Sequence, residues 1–270
     1  MISKVYFTFK LSKLTLLFLV ILLCSCHLIE ENNITKPRAI LVLLAHPDDE
    51  TWVSGTLAKL AANGFKVIPV YATSGDRGTD HSGKNLSGDA LAKVREAEAV
   101  AACEVLGLEA PIFLRFADGS LALQSQRLVK EIQAMVEEIR PVAVLSFGPG
   151  GVTGNRDHIA VSTLVSQYFP MQAVYFAVSD TQAENLTASA LKFGLDYRVA
   201  APIPDQEVRV RVQLDDFAAV RALAMAKHVT QFPPVMINAF ADYIESAVVE
   251  ELVIPEVTQV SSEFVELLKR

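Results

Sequence analysis

The chain has 270 residues, 51% of them hydrophobic, and a formal net charge of −7. Such a length buries a full core and implies one or two globular domains, not a repeat array. Residues 1–25 carry Lys4, Lys10 and Lys13 but no acid, so the remainder is more acidic than the total, and the balance excludes an electrostatic footprint for nucleic acid.

The first residues read as an export signal. Lysines precede an apolar run from Leu14 to Leu23, interrupted only by Thr15 and too short to span a bilayer comfortably, which takes roughly 20 apolar residues. Leu23-Cys24-Ser25-Cys26 follows it and resembles a bacterial lipoprotein processing site, with Cys26 as the lipidated first residue of the mature protein. An uncleaved signal anchor and a cytoplasmic protein with an apolar tail are the alternatives. With Cys26 acylated, Cys103 is the only other cysteine left after cleavage, so neither a disulfide scaffold nor a zinc–thiolate site is expected. Residues 26–37 are polar, end at Pro37 and read as a tether, and the fold is expected to occupy residues 38–270.

From Arg38 onward, apolar runs of strand length alternate with amphipathic stretches. The pattern predicts strand Ala39–Ala45, a helix from Thr51 to Ala62 stopped by Asn63-Gly64, and strand Lys66–Thr73. It continues with helix Ala90–Leu106, strand Ile112–Phe116, helix Arg127–Ile139, strand Val142–Phe147, helix His158–Phe169 and strand Ala173–Val178. Continuous apolar strands alternating with helices predict an α/β, Rossmann-like doubly wound and mainly parallel sheet, with ligands bound beyond the carboxyl ends of its strands. Thr181–Leu191 is polar and gives no clear assignment. Val208–Leu214 alternates strictly and predicts a C-terminal antiparallel elaboration, followed by a helix capped at Asp215 or Asp216 and running through Lys227 to Gln231.

His46-Pro47-Asp48-Asp49-Glu50 follows the first strand directly. One imidazole and three carboxylates against an apolar strand are costly to desolvate unless a metal or hydrogen bonds compensate. His and carboxylate suit Zn²⁺, and an unligated carboxylate beside them is placed to take a proton. A solvated turn with acidic helix capping is the other reading of the same residues. The second cluster, Gly154-Asn155-Arg156-Asp157-His158, also follows a strand, beyond Gly148-Pro149-Gly150-Gly151. If the two strands are neighbours at the switch point, His158 approaches His46 and Asp49, and two histidines with one carboxylate form a catalytic type of zinc set.

These motifs resemble the GlcNAc-phosphatidylinositol de-N-acetylase (PIG-L/LmbE-like) deacetylases over most of Arg38–Gln231. Weaker matches are Thr73-Ser74-Gly75, Arg95-Glu96-Ala97-Glu98, Asp157-His158, and His228 followed by Gln231. The resemblance implies a zinc-dependent amidase, or one using another divalent metal, that acts on an N-acetylglucosamine-type sugar or glycoconjugate. It implies His46, Asp49 and His158 as metal ligands and Asp48 as the base. Where the family usually has a histidine three residues before the last ligand, this chain has Asn155, which can donate to an oxyanion but cannot titrate near neutral pH.

Asp157 reads equally as a residue orienting a ligand and as a helix cap. Arg77, in the long polar loop Ser74–Asp89, is expected to bind substrate, although a merely mobile loop fits as well. For His228, on the predicted C-terminal helix, the resemblance implies a place near the substrate against a plain helix-surface histidine. His81 reads as solvent-exposed, and Trp52 as a core anchor before a sugar platform. Three functions compete: an exported, membrane-anchored deacetylase; a lipoprotein that binds metal and glycan but is weakened through Asn155; and a dinucleotide-binding oxidoreductase. The last is disfavoured because no G-x-G-x-x-G follows the first strand.

Overall fold

The computed structural model describes residues 38–269. The signal sequence, Cys26 and the tether over residues 1–37 lie outside the described residues. Among the described residues, no helix is long and apolar enough to cross a membrane.

Seven strands form one sheet: β1 (Ala39–Leu44), β2 (Lys66–Thr73), β3 (Ile112–Phe116), β4 (Ala143–Phe147), β5 (Ala173–Ala177), β6 (Val210–Gln213) and β7 (Val249–Val253). Their order is β3-β2-β1-β4-β5-β7-β6. The first five are parallel, and β7 and β6 add to the β5 edge in antiparallel fashion. The predicted doubly wound sheet and its antiparallel elaboration are both present. Ile40, Leu41, Val42, Leu43 and Leu44 of β1 are fully buried, as a central strand covered on both faces requires. Each such side chain contributes roughly 1.5–3 kcal/mol of burial.

Helices α1 (Ser54–Ala62), α2 (Gly88–Leu106), α3 (Ser125–Ile139) and α4 (Arg156–Tyr168) are the crossovers of this sheet. A short 3₁₀ turn, Asp49–Trp52, separates the site motif from α1, so the first helix starts three residues later than its composition suggests. Strand β1 pairs with β2 on one side and β4 on the other, which makes the β1/β4 boundary the switch point where such folds bind ligands.

Beyond β5 the chain is more ordered than its polarity indicates. Thr181–Leu191 belongs to α5 (Asp180–Lys192), which buries Ala183, Leu186 and Ala190 at helical spacing and is capped by the Ser179 side chain. The helix expected to run through Lys227 to Gln231 ends early, as α6 (Ala218–Met225). The cause is His228, which is drawn into the interior, while Glu98 accepts hydrogen bonds from both Thr230 N (2.9 Å) and Thr230 Oγ1 (2.6 Å). Two further helices, α7 (Pro234–Ser246) and α8 (Ser262–Lys269), flank β7 in sequence. The buried Glu250 of β7 accepts from Gly55 N and Thr56 N at the start of α1 and pairs with Arg221 at 2.9 Å, which fixes the elaboration to the parallel core.

Candidate metal centre and cleft

His46, Asp49 and His158 meet beyond the carboxyl ends of β1 and β4. His46 Nδ1 lies 3.1 Å from His158 Nε2, and Asp49 places one oxygen 3.0 Å from His158 Nε2 and the other 3.6 Å from His46 Nδ1. All three side chains are buried. Asp49 is anchored by the turn that it terminates, accepting from Ala45 N at 3.0 Å and His46 N at 2.6 Å.

The partners of the outer ring nitrogens decide which way the imidazole lone pairs point. His46 Nε2 lies 3.2 Å from Asp118 and 3.6 Å from Asp157, and ionised carboxylates only accept. His158 Nδ1 lies 3.0 Å from the Gly151 carbonyl and 3.0 Å from Thr153 Oγ1. With both rings neutral, protons on these outer nitrogens leave His46 Nδ1 and His158 Nε2 bare, facing each other and a carboxylate in a buried space. Three electron-rich atoms so arranged suit a cation between them. Their atoms all lie within 4.8 Å of one another, and a His₂–carboxylate set fits a divalent metal of the catalytic kind.

Electrostatics follow this geometry. Burial alone would raise Asp49, but the His158 and His46 rings hold it well below the usual carboxylate range. Burial would lower His46, yet Asp118, Asp157 and Asp49 together raise it well above its ordinary value. Asp118 and Asp157 are both lowered, with burial opposed by their contacts to His46.

Asp48 is not among the converging ligands. Its backbone sits at φ 125°, a region rarely populated by non-glycine residues and costing roughly 1–3 kcal/mol. It is held there by Thr51, whose N and Oγ1 both donate to the Asp48 carbonyl. Its side chain faces the cleft, where burial and the neighbouring Asp49 charge push it up to about 7. Glu50, fully buried, points the other way: it accepts from Tyr71 Oη at 2.8 Å and meets His228 Nε2 at 2.5 Å. Both the surface-helix reading of His228 and its assignment as a group presented to substrate meet the same geometry, a histidine with no exposed surface paired behind the motif. Here it supports Glu50 and, through Glu50, the Asp48 turn.

Asn155 lines the cleft and is also the N-cap of α4, its Oδ1 accepting from Asp157 N at 2.8 Å. That bond fixes the amide orientation and leaves Nδ2 as the outward donor. Asp157 is not the cap. Its carboxylate accepts from Gly119 N (2.7 Å) and Leu121 N (3.0 Å) and lies 3.6 Å from His46 Nε2.

Gly151 is required beside the metal centre: at φ 67° a Cβ there would lie 2.5 Å from His158 Cβ. Arg77 lies exposed on the cleft wall, its N–H donating to Asp118 at 3.0 Å. Arg95 is buried and donates to the Gly75 and Thr79 carbonyls and to Gln231. The Arg95-Glu96-Ala97-Glu98 segment therefore organises two cleft-lining loops. His81 also lines the cleft, its N–H donating to the Thr230 carbonyl.

The sequence reading missed Asp118, whose signal was an acid two residues past the end of β3, at the same sheet edge as His46. It also missed the aromatic part of the cleft. Trp52, read as a core anchor, lines a cavity of about 680 Å³ together with Tyr197, Phe232 and Phe240.

Comparison with known proteins agrees with this layout. The family model for PIG-L, GlcNAc-PI de-N-acetylase, matches residues 41–169, which hold every ligand candidate. The 1D-myo-inositol 2-acetamido-2-deoxy-alpha-D-glucopyranoside deacetylase of Actinosynnema mirum is 26% identical over 233 residues, covering 74% of this chain and 82% of its own. In fold, the chain is similar to the N,N'-diacetylchitobiose deacetylase of Pyrococcus horikoshii, with TM-score 0.60, 20% identity, and 89% and 93% of the two chains covered. It is also similar to the 4-carboxy-2-hydroxymuconate hydratase of Pseudomonas putida, with TM-score 0.53, 17% identity, and 80% and 95% covered. The fold thus carries more than one reaction, and the choice among them rests on the site.

Proposed function

Since the chain carries a PIG-L family domain, we propose that it is a zinc-dependent hydrolase that removes the N-acetyl group from an N-acetylglucosamine-type sugar or glycoconjugate. The observation that carries this reading is the convergence of His46 Nδ1, His158 Nε2 and the Asp49 carboxylate at the floor of a cleft, with the Asp48 carboxylate beside them. His46, Asp49 and His158 hold the metal. Zn²⁺, when bound, supplies Lewis acidity for the acetamide carbonyl and acidifies the attacking water to a pKa of about 7.

Asp48 takes the proton of that water as the C–O bond forms. It then returns the proton to the nitrogen as the C–N bond breaks, releasing acetate and the free amine. Burial makes Asp48 a stronger base than an exposed carboxylate. Asn155 Nδ2 donates to the carbonyl oxygen as negative charge develops there. Arg77 binds the sugar hydroxyls from the cleft wall.

We assign the chain to the cell envelope as a lipoprotein anchored through Cys26, which places its substrate outside the cytoplasm. Metabolic labelling with palmitate, compared with Cys26→Ala, tests this; unlabelled protein overturns it. The second reading, a metal- and glycan-binding lipoprotein weakened in turnover, is favoured by the absence of an imidazole at Asn155. Metal content measured together with free-amine release from N-acetylated sugars separates the two, wild type beside Asp48→Asn. Metal with Asp48-dependent release supports the enzyme, metal without release from any sugar supports the binding protein, and absence of metal removes the basis of both.

A further inference from the structure

The cleft is larger than a single acetylated sugar requires. Its volume of about 680 Å³ is that of a site for a drug-sized ligand. Its two parts also differ in chemistry. Around the metal centre the lining is polar. Away from it the lining is Trp52, Tyr197, Phe232, Met236 and Phe240, all of them partly exposed.

These rings form one connected surface centred on Phe240. Trp52 meets it at 6.2 Å and Tyr197 at 5.4 Å, both edge-on, and Phe232 meets it tilted at 6.4 Å. Four of the five come from the loop after α5, the turn after α6 and from α7. They therefore belong to the C-terminal elaboration, outside residues 41–169.

Resting on the deacetylase reading, we propose that this wall is an aglycone subsite and that the substrate is an N-acetylated glycoside whose aglycone is apolar. Partly exposed aromatic faces gain free energy when an apolar group covers them. A hydroxylated aglycone in the same place would lose water from each hydroxyl, and of the polar groups beside the wall the Arg95 guanidinium is already engaged. The Arg95 guanidinium donates to Gly75, Thr79 and Gln231, and Gln231 Oε1 accepts from it. A hydroxyl left unpaired there weakens binding.

Trp52 is the only tryptophan in the chain, so the subsite carries its own reporter. The test uses the full metal-loaded chain and three glycosides of N-acetylglucosamine with one anomeric configuration: methyl, cyclohexyl and inositol. Cyclohexyl and inositol aglycones share a ring and differ in hydroxyls. The expected result is a saturable change in Trp52 emission with the cyclohexyl glycoside at a concentration at least about tenfold below that for the other two. Its kcat/KM for amine release should exceed theirs by about 10- to 200-fold. Phe240→Ala should shrink the cyclohexyl-to-inositol ratio in both measurements. An inositol glycoside that binds or reacts as well as the cyclohexyl one, or a ratio unmoved by Phe240→Ala, overturns the subsite. If no glycoside releases amine, the deacetylase reading fails, while the emission titration still decides the subsite, absence of any response counting against it.

Discussion

His46 Nδ1 and His158 Nε2 face each other across 3.1 Å, and the outer nitrogen of each ring is held by an acceptor, carboxylates for His46 and the Gly151 carbonyl for His158. In the neutral rings this arrangement selects both tautomers, so the donor atoms are oriented by groups outside the His46–Asp49–His158 set.

Removal of one ligand should therefore abolish binding without unfolding the chain. His46→Ala or Asp49→Ala is expected to leave the purified protein free of metal by elemental analysis. Asp48→Asn should retain the wild-type metal content and lose amine release. A chelator should lower the melting temperature of the wild type, since metal at about 100 times its Kd stabilises the folded state by roughly 2.7 kcal/mol. Asp49→Ala should not respond to it. Metal in both ligand variants at wild-type levels would refute the assignment.

Asp118→Asn should weaken metal binding by way of His46. It sits 3.2 Å from His46 Nε2 and sets which nitrogen carries the proton. Loss of such a partner costs about 10- to 100-fold in metal affinity, measurable by competition with a chromogenic chelator. Asp157→Asn should differ in kind. Its carboxylate also accepts two backbone N–H groups of the loop after β3, so part of its effect should appear as a lower melting temperature of the metal-free protein.

The parallel core and the ligands were legible because each rests on a local rule. β1 is uninterrupted apolar chain, and His46 and Asp49 follow it at once. His158 lies in the first turn of the helix that follows β4, the strand that pairs with β1, and the switch-point rule brings the two together. What escaped the sequence depends on tertiary neighbours. Thr181–Leu191 looks polar because the face of α5 that it buries consists mostly of small residues. His228 reads as part of a helix until its partner Glu50, 178 residues away, is known. Trp52 sits at a spacing that fits core or cleft equally, and only Phe240, near the other end of the chain, decides which.

Glu50 and His228 form a buried pair whose disruption should destabilise the fold. Glu50→Ala is expected to cost about 3–5 kcal/mol in denaturant unfolding, because it leaves His228 without its counter-charge. Burial lowers the His228 pKa, but the Glu50 charge and hydrogen bond outweigh it, and the net shift is upward. With the folded-state value raised, the pair's contribution is fully present below the ordinary histidine value of about 6.5. It is lost as pH rises through the folded-state value. The stability gap between wild type and Glu50→Gln should accordingly narrow on the alkaline side. A gap that stays constant there would mean that His228 is neutral throughout.

Asn155 does two jobs that substitutions can separate. As the N-cap of α4 it is replaceable by Asp, which also caps well, whereas Ala should cost about 0.5–2 kcal/mol. As an amide donor at the cleft it is not replaceable by Asp, whose carboxylate only accepts and repels a developing oxyanion. Asn155→Asp should therefore keep the wild-type melting temperature while lowering kcat by about 10²- to 10³-fold, the usual cost of one lost oxyanion donor. Asn155→Ala should lower both. Asn155→His restores a group able to titrate but forfeits the cap, so its kcat should equal or exceed that of the wild type in a less stable protein. If Asn155→Asp retains full kcat, the side chain only starts the helix, and stabilisation of the carbonyl oxygen must come from elsewhere in the cleft.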